Sequence, residues 1–141
     1  MDFQGEDIKK LIPQREPFIM VGRIEAVDDT HAVTALAVRS DNYFMLPDGT
    51  LAETGLIEHI AQSCSALMGA IALEKHFEHP PVGLIGEVKH FECRRRPKSG
   101  ELITTQIEFG FNFGNVTIAT GVSSVGNEEI AKAQLKIFMQ L

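Results

Sequence analysis

Hydrophobic and polar positions change period along the chain, and the changes divide it into elements. Residues 8–11 make a short amphipathic turn that runs into Pro13 and Pro17, each of which stops a helix by removing a backbone donor. Residues 18–27 and 32–38 are apolar and β-branched at short spacing, and they read as two strands joined by the polar turn 28–31. After the turn-rich stretch 42–49, Thr50 and Glu53 have the spacing of a capping box, in which each side chain satisfies a free N–H of the first helical turn. A helix is predicted from Leu51 to about Lys75, because no proline follows until Pro80 and the residues are mostly Ala, Leu, Ile, Met and Glu.

Beyond Pro80 and Pro81 the period becomes two. Ile103, Thr105, Ile107 and Phe109 alternate with Thr104, Gln106 and Glu108, and Ala131, Ala133, Leu135, Ile137 and Met139 alternate with mostly polar neighbours. Gly114-Asn115 and Gly126-Asn127 are two-residue turn signals of the kind that joins antiparallel hairpins. Two strands, one long helix and three or four more strands make an α+β domain. Its antiparallel sheet must wrap around a central helix that is apolar on most sides, which is the hotdog arrangement. The expectation is one domain, residues 1–141.

Composition sharpens this picture in three places. No uninterrupted apolar run reaches the roughly 20 residues of a membrane span, so no membrane partner and a cytoplasmic location are expected. Cys64 and Cys93 lack metal-ligand or redox spacing and lie in apolar periodic segments, where a free thiol acts as a small hydrophobe. The net charge of -6 argues against nucleic acid, which demands a broad positive field. The local exception is Arg94, Arg95, Arg96 and Lys98, a run that either receives an acidic protein or a nucleotide phosphate, or blocks edge-to-edge association at a solvated strand edge.

At about 100° per residue, Thr54, Glu58, Gln62, Ser65 and Gly69 share one narrow stripe of the helix, whose other faces are largely apolar. A carboxylate cannot be buried there without a partner, so the stripe must face solvent, a second subunit or a polar cavity. Glu58 is thus either a catalytic or substrate-facing group, or a structural carboxylate in a satisfied network. His59 points about 100° away from Glu58, where a packed, hydrogen-bonded imidazole is the commoner role. His31, His76, His79 and His90 lie in turns or at strand edges without ligand spacing, and no metal is expected.

These residues resemble a known family. LIPQREPFIMVGRI (11–24) resembles the opening motif of 3-hydroxyacyl-ACP dehydratases, a Leu-Pro-His-Arg-x-Pro-Phe segment leading into the first strand. EHIAQ (58–62) resembles their central-helix Glu-x-Met-Ala-Gln, and GEVKHFECRRRPKSG (86–100) their Gly-to-Gly strand segment. Lacking the Pro-Gly-Val lead-in to the helix, the chain is similar to a divergent branch associated with aryl polyene and related pigment lipids. The resemblance implies a dimer in which the helix carboxylate of one subunit meets the motif histidine of the other beside a tunnel for an acyl chain carried on phosphopantetheine. Glu58 matches the carboxylate, whereas Gln14 stands at the histidine position.

Dehydration needs a base for the α-proton and an acid for the departing hydroxyl, and a glutamine is neither. Glu58 and Gln14 are the implied catalytic positions. Thr54, Gly55, Gln62 and Gly86 are the implied substrate-binding positions, with N–H groups of residues 52–55 polarising the thioester carbonyl, and Arg94, Arg95 and Arg96 the carrier-binding ones. The expected partners are acyl carrier protein or acyl-CoA and a second hotdog subunit, identical or not, with no cofactor of the protein's own. Three functions follow: a 3-hydroxyacyl-ACP dehydratase-like enzyme of fatty acid or polyene biosynthesis, an acyl thioesterase using Glu58 alone, or a non-catalytic carrier-binding half of a heterodimer.

Overall fold

The computed structural model describes residues 1–76 and 82–140. Strands β1 (Asp2–Gln4), β2 (Arg23–Ala26) and β3 (His31–Ala37) precede helix α1 (Glu53–Glu74). Strands β4 (Val82–Cys93), β5 (Leu102–Phe113), β6 (Val116–Val125) and β7 (Glu128–Gln140) follow it. All seven form one antiparallel sheet in the order β1-β2-β3-β5-β6-β7-β4, and α1 packs on β2 through β7. The chain therefore carries β4 across the helix to the far edge of the sheet and returns to lay β5 beside β3.

The period-two reading of the second half holds. Ile103, Thr105 and Ile107 of β5 and Ala131, Ala133, Leu135 and Ile137 of β7 are buried, while their neighbours are not. Gly114 and Gly126 take φ of 62° and 59° at the two hairpin turns, a region open to glycine at little cost. The helix is buried on most of its circumference. Where the sheet crosses it most tightly, a Cβ on Gly121 would lie 2.5 Å from Ile60 Cγ2.

Four expectations change. The capping box does not form: Ala52 is the extended residue before α1 with no side-chain cap, and the Thr50 hydroxyl donates to Asp48 Oδ1 at 2.6 Å while accepting from Arg96 Nε at 2.9 Å. The first strand is shorter than 18–27, because the backbones of Phe18 and Met20 bond to helix side chains instead of a neighbouring strand. β1 was not anticipated; Arg23, bonded through Nε and Nη2 to Asp2, ties it to β2. Lastly, α1 is long and apolar enough to cross a membrane by length and composition, but 67% of the qualifying window is buried inside the fold, as a core helix requires.

Candidate functional site

The stripe on α1 does not look into open solvent along its length. It receives the segment 11–20. At its C-terminal end Gly69 meets this segment so closely that a Cβ would lie 2.1 Å from the Leu11 carbonyl oxygen. Two turns earlier, Gln62, 1% exposed, accepts the Met20 N–H on Oε1 at 2.6 Å. Its Nε2 donates to the Phe18 carbonyl at 2.7 Å and to Glu58 Oε1 at 2.9 Å. Glu58 is half-buried with one oxygen held in this way, and Thr54, one turn nearer the helix start, is exposed.

His59 is fully buried. Its Nδ1 bonds the Met20 carbonyl at 2.6 Å and its Nε2 the Thr105 hydroxyl at 2.7 Å, and burial pushes its pKa down from 6.5 to about 4 against the opposing pull of that carbonyl. A neutral imidazole with both nitrogens engaged inside the core has the structural role that the helix angle suggests. Burial likewise pushes the Cys64 thiol up to about 12, leaving an inert core residue.

Gln14 sits at the turn where the segment approaches the helix. Arg15 holds this turn by donating from Nη1 to the carbonyls of Ile12 and Gln14 at 2.9 and 2.7 Å, and from Nη2 to Lys9 O at 3.2 Å. The Gln14 Oε1 is buried and has no hydrogen-bond partner among the described residues. No hydrogen bond joins Gln14 to Glu58 within the described residues; one chain anchors both groups without bringing them together.

The other predicted positions fall as follows. Gly55 is buried under Phe44, whose Cβ would be 2.7 Å from a Cβ added there, and its N–H already donates to Ala52 O at 2.9 Å. Gly86 lies at an irregularity in the β4–β7 pairing, under the ring of Phe138. The basic run is paired inside the chain. Arg95 Nη1 and Nη2 grip Glu101 at 2.9 and 3.0 Å, and its Nε reaches both oxygens of Glu128 at 3.1 Å. Arg96 holds Asp48 at 3.0 Å, and Arg94 reaches Glu129 at 3.3 Å. The Arg95 guanidinium and the Lys98 N–H hold the Glu101 carboxyl down at about 2, and Arg95 itself is raised.

Sequence reasoning missed three aromatic side chains that cluster near the first turns of α1. Phe18 and Tyr43 meet edge to face at 4.8 Å, and Tyr43 and Phe44 at 5.3 Å. Phe44 covers Gly55 and the Phe18 carbonyl is bound by Gln62, so the cluster flanks the turn of α1 that carries Glu58. The available signal was that Tyr43 and Phe44 stand in an otherwise turn-forming stretch. A separate cavity of about 510 Å³ opens between the β2–β3 turn and Ala70, Ile71 and Glu74, at the opposite end of α1. It does not contain Glu58. Among the described residues no cluster of His, Cys, Asp and Glu could hold a metal ion; His79 lies outside them.

A curved antiparallel sheet around one long buried helix, with a single held carboxylate on a polar helix stripe, defines a hotdog protein. The chain belongs to the ApeP-like family of dehydratases, whose description matches residues 6–140. It is similar to the 3-hydroxyacyl-[acyl-carrier-protein] dehydratase FabZ of Clostridium kluyveri, with 27% identity over 96% of this chain and 94% of that one. Among solved structures it resembles the dehydratase heterocomplex ApeI:P from Xenorhabdus doucetiae (18% identity, TM-score 0.86, 95% and 91% of the two chains). It also resembles a hypothetical thioesterase protein with coenzyme A from Streptococcus pneumoniae (18% identity, TM-score 0.65, 83% and 84%), a likeness of fold. The chain is a dehydratase-like, lyase-type hotdog protein.

Proposed function

We propose that the protein acts on a 3-hydroxyacyl thioester, carried on the phosphopantetheine of an acyl carrier protein or of CoA, in fatty acid or polyene biosynthesis. The observation that carries this reading is Glu58: a half-buried carboxylate on the polar helix stripe, with one oxygen held by Gln62 and no other hydrogen bond among the described residues. Glu58 removes the α-proton; as the C–O bond breaks and the double bond forms, the same carboxyl returns its proton to the departing hydroxyl, which leaves as water. The thioester carbonyl faces the start of α1. Since the N–H groups of Ala52 and Gly55 already donate to Phe44 O and Ala52 O, those of Glu53 and Thr54 are the donors assigned to it.

Gln14 takes the place that the resembled family gives to histidine. It orients a substrate oxygen or a water by hydrogen bonding and moves no proton. A second reading is favoured by the same residue together with the edge of β4: the chain is one half of a hotdog pair whose other half supplies the histidine, and the similarity to a chain of the ApeI:P heterocomplex supports that arrangement. The test is incubation of the purified protein with 3-hydroxyacyl, enoyl and saturated acyl thioesters, followed by mass analysis. Water loss or addition that disappears in Glu58→Gln supports the enzyme reading. Full activity in Glu58→Gln removes Glu58 from the chemistry. Inactivity of both the natural protein and Gln14→His, despite binding of the acyl partner, favours the paired, non-catalytic reading.

A further inference from the structure

Two side chains of α1 grip the backbone of a single residue. Met20, fully buried, gives its N–H to Gln62 Oε1 and receives at its carbonyl the Nδ1 of His59, each at 2.6 Å. A carbonyl only accepts, so His59 carries its proton on Nδ1 and presents a bare Nε2. Thr105 must then donate to Nε2, and Ser123 to Thr105 Oγ1 at 2.6 Å. The order of donors is fixed from the sheet through the imidazole to the Met20 backbone, and all four residues are fully buried. Gln62 is fixed in the same way: with its oxygen taken by Met20, its nitrogen gives protons to the Phe18 carbonyl and to Glu58. One amide thus holds both the segment leading back to Gln14 and the carboxylate.

We propose that His59 and Gln62 are positioning residues that lock the Gln14 segment and the Glu58 carboxylate into one register. The role of the lock in catalysis rests on the assignment of Glu58 above; the lock itself does not. An apolar residue in place of His59 would fill its space but take the side-chain donor from the Met20 carbonyl and the acceptor from the Thr105 O–H, which would keep only Ser123, and the segment would be free to shift relative to the helix. A displacement of about 1 Å costs on the order of 10²-fold in rate when the moved group serves the reacting centre.

Nitrogen-15 spectroscopy of the natural protein is the first arm of the test. The expected His59 signal has its proton on Nδ1 and none on Nε2, and Glu58→Gln displaces the Gln62 side-chain amide resonances while Ser65→Ala leaves them in place. A His59 proton on Nε2, or a Gln62 amide indifferent to Glu58→Gln, overturns the lock whether or not the protein turns over. The second arm is kinetic: His59→Leu should lower kcat by about 10²-fold with KM held within about twofold, and His59→Asn, which keeps a donor near the Nδ1 position, should recover most of it. Full kcat in His59→Leu, or no recovery in His59→Asn, removes the positioning role. Absence of turnover in the natural protein removes the Glu58 reading alone, and the spectroscopic arm still decides the lock.

Discussion

The two flanks of α1 are finished to different degrees within one chain. On the flank facing residues 11–20 and the β3, β5 and β6 strands, directional bonds are nearly complete: His59, Gln62 and Ser63 of the helix and Thr34, Thr105 and Ser123 of the sheet are buried and each is hydrogen-bonded. On the flank toward β4, Ile85 and Val88 pair across the ladder with the buried Ile137 and Leu135, and so face the helix side of the sheet. They nevertheless remain 42% and 38% exposed. β4 is also an outermost strand of the sheet, with no neighbouring strand on its outer side among the described residues. Polar groups must be satisfied where they are buried, so the first flank is closed by the chain's own residues. Apolar surface carries no such local demand, and the second flank stays partly open within the one chain.

The largest effect expected on the closed flank comes from Gly69→Leu. Its side chain would start inside the Leu11 backbone, which cannot give way as a flexible side chain can, and a loss of about 3 kcal/mol in urea denaturation is expected. Ser65→Ala, on the same stripe, should stay within about 0.5 kcal/mol. An equal response of the two would mean that the segment does not lie against Gly69.

Next in size is a pH dependence. His59 titrates at about 4 when folded against 6.5 ordinarily. Above 6.5 neither state binds its proton; below it the unfolded chain does and the folded chain does not, until about pH 4. Stability should therefore fall with pH across this window by about 1.4 kcal/mol per unit, roughly 3 kcal/mol in all. Asp28 and Glu101, both held near 2, lose their contributions at lower pH. Denaturation of the natural protein and His59→Asn between pH 6.5 and 4.5 isolates the imidazole: the difference between the two curves should slope, and parallel curves would mean that His59 is protonated in the fold.

The open flank should behave in the opposite way. Val88→Glu is expected to change single-chain stability by less than about 0.5 kcal/mol, because the side chain already meets water. If a second subunit covers β4, the same substitution stops association, as light scattering would read directly. Association that survives both Val88→Glu and Ile85→Lys would place the subunit contact elsewhere.

What the sequence revealed follows the same division. The helix bounds, the antiparallel tail and both glycine turns were legible because local period and turn chemistry determine them. Residues 18–21 were taken for strand because an extended apolar segment has one pattern whether its backbone meets another strand or helix side chains; His59 and Gln62, its partners, lie about forty residues away. Thr50 and Glu53 have capping-box spacing, but Asp48 and Arg96 claim the hydroxyl first. In the candidate site, the stripe and the buried role of His59 were readable. The clamp on Met20, the aromatic cluster and the free edge of β4 depend on which elements become neighbours, and no local pattern encodes that.

The smallest expected effect concerns the basic run, where three adjacent arginines differ in what binds them. Arg95 is 31% exposed in its side chain and makes two-pronged contact with Glu101 as well as reaching Glu128; Arg94 is 65% exposed with one longer contact to Glu129. Exposed pairs contribute little and networks with ideal geometry more, so Arg95→Ala should cost about 1 kcal/mol and Arg94→Ala nothing measurable. Binding of an acyl carrier should respond in the reverse order. A guanidinium already neutralised by two carboxylates offers little to an acidic partner, whereas the looser Arg94 can leave Glu129 for it. Arg94→Ala is therefore expected to weaken carrier binding and flatten its salt dependence without moving the melting temperature. If Arg94→Ala leaves both affinity and salt slope unchanged while Arg95→Ala lowers the melting temperature, the run is an internal clasp between the start of β5, the β6–β7 turn and the end of β4.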